Sequence, residues 1–111
     1  MILATIRITF SSKKFNEALG ILRAAAEQSS VQPGCLSGRV YRNGEKDNVL
    51  MFEQKWSNEA DLNRYLRSDE YRQILMVLEM AAKQPEVRFD TISSSTGIET
   101  IGKARGYKME G

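Results

Sequence analysis

Strand-like and helix-like patterns in the order βαββαβ, and an Asn43-Gly44 hairpin signal, predict an α+β fold of the ferredoxin-like, split βαβ kind. Its core is a four-stranded antiparallel sheet with helices on one face. With 111 residues, 41% of them hydrophobic, the chain has the size of one domain, and no linker-like shift divides it. Residues 1–106 are expected to form that domain and residues 107–111 a frayed tail.

The first strand is read from Ile2 to Phe10, with Ile2, Ala4, Ile6, Ile8 and Phe10 on one face. Leu3, Thr5, Arg7 and Thr9 take the other; period two with β-branched residues marks a strand. Ser11 and Ser12 offer N-cap oxygens to a helix of about sixteen residues. Its stripe is Phe15, Ala18, Leu19, Leu22, Ala25 and Ala26. Pro33-Gly34 then turns the chain into a strand from Cys35 to Arg42, in which Leu36, Gly38 and Val40 oppose Cys35, Ser37, Arg39 and Tyr41. Asn43-Gly44 and the polar run Glu45-Lys46-Asp47 make the next strand antiparallel to it. That strand, Asn48 to Trp56, sets Leu50, Phe52, Gln54 and Trp56 against Val49, Met51, Glu53 and Lys55.

Ser57 or Asn58 caps a short helix to about Arg67. Ser68 is read as a fresh N-cap, with Asp69 and Glu70 suited to the positive end of the helix dipole. The helix after it carries Tyr71, Ile74, Leu75, Leu78 and Ala82 on one stripe, and Pro85 ends it. Glu86 to Ser93 reads as the last strand, and Thr96-Gly97-Ile98-Glu99 as the capping box of a short helix ended by Gly106.

Two helices cover one side of such a sheet. The more apolar side, with Ile6, Ile8, Val40, Phe52 and Phe89, is assigned to them. The opposite side mixes Leu3, Val49 and Met51 with Arg7, Arg39, Tyr41 and Glu53. Either water covers it or a second copy does, sheet on sheet, burying the Met and Val residues.

The chain contains no histidine, which excludes Ser–His and Cys–His nucleophiles, His-ligated zinc and His-ligated haem. One cysteine excludes an intrachain disulfide and a thiolate metal cluster, so no metal site is expected. A net charge of +2 spread along the chain does not predict nucleic-acid or membrane binding. No run reaches the ~18 apolar residues of a membrane span, and Met1 to Ile6 is too short for a signal-peptide core, so a cytoplasmic location is expected.

Trp56, the one tryptophan, stands where a strand meets a helix and is a candidate pocket wall, because indole is seldom wholly buried and seeks a partner for its N–H. Gln54 shares its face as a polar group among apolar ones, and Leu50 and Phe52 extend the stripe as core or pocket floor. Tyr65 and Tyr71 roof the region, each able to orient a ligand oxygen or to cap the core. Cys35 has no basic neighbour in sequence and is expected to be unreactive.

Pro33-Gly34-Cys35-Leu36-Ser37 with Val40-Tyr41-Arg42, then Trp56 through Leu62 and Leu66 through Arg72, resemble the antibiotic-biosynthesis monooxygenase domain family, which includes quinol monooxygenases. The resemblance runs over residues 1 to about 105, through Phe89-Asp90-Thr91 and Thr96-Gly97-Ile98-Glu99. It implies a homodimeric α+β barrel that oxidises a small aromatic or quinol-like substrate with O2, without metal, flavin or other cofactor. It further implies catalytic roles for Trp56 and Tyr65 and substrate contacts from Leu50, Phe52, Gln54 and Tyr71. Two positions depart from the family pattern: Gln54 stands where many members have a carboxylate, and Tyr65 where many have a histidine. With no general base visible, the alternative is a non-catalytic dimeric module of the same fold that binds a small ligand or serves regulation.

Overall fold

Ile2, Ala4, Ile6, Ile8 and Phe10 are buried in the computed structural model, which describes residues 1–109, while Arg7 between them is exposed. This alternation makes β1 (Ile2–Thr9) a central strand with one face under helices. The others follow as α1 (Ser12–Ser29), β2 (Cys35–Arg42), β3 (Val49–Trp56), α2 (Glu59–Leu66), α3 (Arg72–Glu79), β4 (Glu86–Thr91) and α4 (Glu99–Arg105). The sheet order is β2-β3-β1-β4, antiparallel at each junction, so the split βαβ topology predicted from periodicity is the one observed.

The core lies between the sheet and helices α1 to α3, with Phe10, Leu22, Leu50, Phe52, Trp56, Ile74 and Val77 fully enclosed. Its edges are tied by hydrogen bonds. Asn48 Nδ2 donates to the Phe10 carbonyl at 2.7 Å, and Ala82 N–H donates to the Thr9 carbonyl at 2.8 Å. Arg42 lies 5.1 Å from the centre of the Phe15 ring, joining the start of α1 to β2 by a cation–π contact.

Several local expectations change. A bulge between Cys35 and Ser37 pairs Cys35 with Trp56 and Ser37 with Lys55. The extra residue, Leu36, is exposed, and Cys35 moves to the helix face, away from the face of Ser37. Ser68 does not start the next helix; its Oγ donates to the Tyr65 carbonyl at 2.6 Å and closes α2, while Tyr71 is the N-cap of α3. α3 ends at Glu79, several residues before Pro85. Phe89 does share the helix face, being paired with Ala4, yet it is 47% exposed because no helix reaches across the edge strand β4.

Residues 93–108 form an arm that is exposed throughout, Gly102 apart, with Ile98, Ile101 and Tyr107 facing outward. This arm explains a radius of gyration of 16.3 Å, against about 13 Å for a compact chain of this length. Gly106 (φ 82°) ends α4 as expected, and Tyr107 N–H returns to the Gly102 carbonyl at 2.8 Å. Of the tail expected to fray, Glu110 and Gly111 lie outside the described residues.

Candidate functional site

Alternate residues of β3 bring Gln54 and Trp56 under the helices, and a tight connection holds α2 above them. Gly34 adopts φ 83°, its carbonyl accepts the Ser57 N–H at 2.8 Å, and a Cβ there would collide with the Asp61 carboxylate. Asn58 caps α2, its Oδ1 accepting the Asp61 N–H at 2.8 Å. Leu62 and Tyr65 therefore face inward, one turn apart.

Three rings result. Trp56 and Tyr65 stack with centroids 5.0 Å apart and a 30° tilt. Tyr71 meets Tyr65 edge-on at 5.3 Å and 86°. Ser29 and Cys35 complete the polar side: Ser29 is fully buried, and Gly38 lets α1 approach β2 so closely that a Cβ would stand 3.1 Å from Ser29 Oγ.

Burial pushes the Tyr65 phenol above the usual tyrosine range, although the nearby polar side chains of Gln54 and Ser29 draw it partly back. Tyr71 is pushed up to about 12, chiefly by burial and then by Tyr65. Burial also raises the Cys35 thiol, partly offset by bonds to Ser29 and to the Ser37 backbone. All three are thus protonated at neutral pH, and the phenols act as hydrogen-bond donors rather than bases.

Two donors in this cluster have no partner among the described residues: Gln54 Nε2 and Trp56 Nε1. An unsatisfied buried donor costs about 1–3 kcal/mol, a cost that a ligand oxygen would remove.

Gln54, Trp56, Tyr65 and Tyr71 are thus brought together. Phe52 sits two residues along β3 from Gln54, while Leu50, paired with Ile8, is about 20 Å from Trp56 along the strand. Leu50 is a core residue at the far end of the sheet. Trp56, expected as a pocket wall and so not wholly buried, is fully enclosed at 0% exposure; Tyr65 lies across it.

A groove of about 240 Å³ opens between α2 and the β1–β4 edge. Ile2, Leu62, Leu66 and Phe89 wall it, with Glu59 at the α2 end. Ile2 is the register partner of Trp56, so one strand separates the groove from the indole. Leu62, Leu66 and Ile2 escaped the sequence reading; the signal for them was two core helices set over four strands, which leaves an edge uncovered. Among the described residues no three of His, Cys, Asp and Glu gather as metal ligands, and no helix is long and apolar enough to cross a membrane.

A family model described as Antibiotic biosynthesis monooxygenase matches residues 1–75, which include Gln54, Trp56, Tyr65 and Tyr71. Among solved structures, a Deinococcus radiodurans protein classed with the antibiotic biosynthesis monooxygenases superposes with a TM-score of 0.81 at 14% identity, over 88% of this chain and 98% of that one. A conserved protein from Methanosarcina mazei Go1 gives 0.74 at 22% identity, over 80% and 89%. SnoaB, a cofactor-independent oxygenase from Streptomyces nogalater, gives 0.72 at 17%, over 85% and 94%. At these identities the likeness is one of fold. No curated protein matches the sequence.

Proposed function

We propose that this chain, which belongs to the antibiotic biosynthesis monooxygenase family, oxidises a small aromatic or quinol-like substrate with O2 and needs no cofactor. The observation that carries the reading is the pair of buried, unpartnered N–H donors beside a stack of aromatic rings. Such donors stabilise a substrate oxyanion, and the enclosure keeps water from it.

An electron-rich anion can pass one electron to O2; the radical pair combines at carbon, and the adduct loses water. The sum for a methylene is CH2 + O2 → C=O + H2O, in which the substrate supplies every electron. In this reaction Trp56 and Tyr65 are the catalytic residues, Gln54 and Tyr71 hold the substrate oxygens, and Phe52 packs against the ring. The groove is smaller than the ~300–1,000 Å³ of drug-sized sites, which favours a flat molecule of one to three fused rings. It enters at Phe89 and reaches the indole when Leu62 and Tyr65 swing aside on α2. A second copy closes the open sheet face, where half-buried Met51 lies opposite exposed Tyr41, making the barrel a homodimer of the 1–106 unit.

Oxygen-electrode measurements with a panel of hydroquinones and anthrones test this directly. Uptake above a buffer blank is expected, falling at least about tenfold in Trp56→Phe. Absence of uptake across the panel overturns it. A ligand-binding module is the second reading, favoured by a cluster with no ionised base. Ligands would then raise the melting temperature while O2 stays unconsumed.

A further inference from the structure

We propose that the outer face of α1 is a second association surface, packing antiparallel against α1 of another copy across a two-fold axis beside Gly20. This goes beyond the oxidation proposed above and does not rest on it.

Gly20 is the anomaly that points there. It stands in the middle of the 18-residue helix α1, where glycine loses more conformational freedom than any other residue. Its own fold gives it no reason to be glycine. Only Gly34 and Gly106 adopt positive φ, and a Cβ built on Gly20 would meet no atom within 4 Å. A glycine facing open space lets a neighbouring backbone come close. Ala24, one turn on, is exposed as well and keeps the approach clear.

This notch opens into a groove of about 470 Å³ between α1 and α3. Ile21 and Ala24 line it from α1, and Met76, 50% exposed, lines it from α3. The thioether can adapt its shape to whatever enters.

Charges along α1 identify the occupant. In an antiparallel pair centred on Gly20, each residue meets the partner residue that lies equally far on the other side of the glycine. Lys13 and Glu27 lie seven residues either way, about two turns, so both share the outward face of Gly20 and both are exposed. Each Lys13 then stands beside the partner's Glu27, and symmetry makes that pair twice. Glu17 and Arg23, three residues either way, add opposite charge on the flanks. No equal offset joins like charges. Moving the centre to Leu22 sets Glu17 against Glu27, and moving it to Ala18 sets Lys13 against Arg23. The favourable register is thus the one that puts glycine at the closest approach. Lys13, Glu17, Arg23 and Glu27 make no ion pair among the described residues. An unrelated helix needs no pattern complementary to itself, whereas a second copy does.

Two helices crossing at one point bury less than the ~1,200 Å² of a standard interface, so the contact is weak, with half-association at about a few hundred micromolar. α1 covers the buried face of the sheet, away from the open one, so both contacts form at once.

Sedimentation equilibrium of the full chain from about 10 µM to about 1 mM tests this. The mass found at the low end should double by the high end, whether that mass is one chain or the two of the barrel. Raising salt from about 0.02 M to about 0.5 M should weaken the association severalfold. Gly20→Leu has room within one chain and suits a helix better, so it should remove the doubling without lowering the melting temperature. Lys13→Glu and Glu27→Lys should each remove it, and the two together should restore it, a rescue that an antiparallel second copy provides. These exposed positions leave the core untouched, so the charge variants decide the matter even if Gly20→Leu misfolds. A mass constant across the series, a doubling that survives Gly20→Leu, or a double variant that is not rescued overturns the inference. The groove would then belong to another protein or to water. Failure of the oxidation is read separately, as absent O2 uptake, and leaves the doubling as it stands.

Discussion

Gly34 and Tyr71 show how single residues set the geometry of the cluster. Gly34→Ala forces a side chain into φ 83° and against Asp61, at the point where the chain before β2 is tied to the turn after Trp56. A loss of about 2 kcal/mol or more is expected, read as a lower denaturant midpoint; an unchanged midpoint would refute the account. Tyr71 predicts an alkaline limit. Its phenol ionises near 10 in the unfolded chain and at about 12 in the folded one, so the unfolded state releases its proton first. This contribution is intact below pH 10 and drains away as pH rises towards 12. Thermal melts across that window should show a decline that is shallower in Tyr71→Phe. Both residues were visible in the sequence, Gly34 as a turn and Tyr71 as a candidate roof. Only the packing shows what each one touches.

At the scale of elements, β3 was the most legible piece. Period two alone put Gln54 and Trp56 on the buried face, and the structure agrees. The start of β2 was the least legible, because one inserted residue at Leu36 flips the parity of Cys35, and no local pattern announces a bulge. β4 lies between: the parity of Phe89 was readable, but its exposure depends on how far α2 extends sideways. The arm carrying α4 yields a direct prediction. Since residues 93–108 stand clear of the core, truncation after Ser93 should leave the melting temperature within about 3 °C. A larger drop would mean that α4 packs on the body in solution.

For the molecule as a whole, the open sheet face and the enclosed Trp56 cluster lie on opposite sides of one four-stranded sheet. Under the proposed dimer, Met51 on central strand β3 meets the partner copy with Arg7 as its cross-strand neighbour, so Met51→Arg sets like charges side by side in the junction of both copies. Sedimentation of wild type at micromolar concentration should give twice the chain mass, and of Met51→Arg the chain mass. A wild type that stays single would remove the barrel from the proposal.

What the sequence determined by itself was the order of elements, the split βαβ sheet and the grouping of Gln54 and Trp56. These follow from periods of 2 and 3.6 residues and from turn chemistry, which act over a few positions. Tertiary structure alone decided that Tyr65 lies across the indole, that two N–H donors have no partner among the described residues, and that a groove opens at Phe89. Those features come from distant segments meeting in space, α2 against β3 and the edge of β4 left uncovered. No local window of sequence records where two such surfaces land.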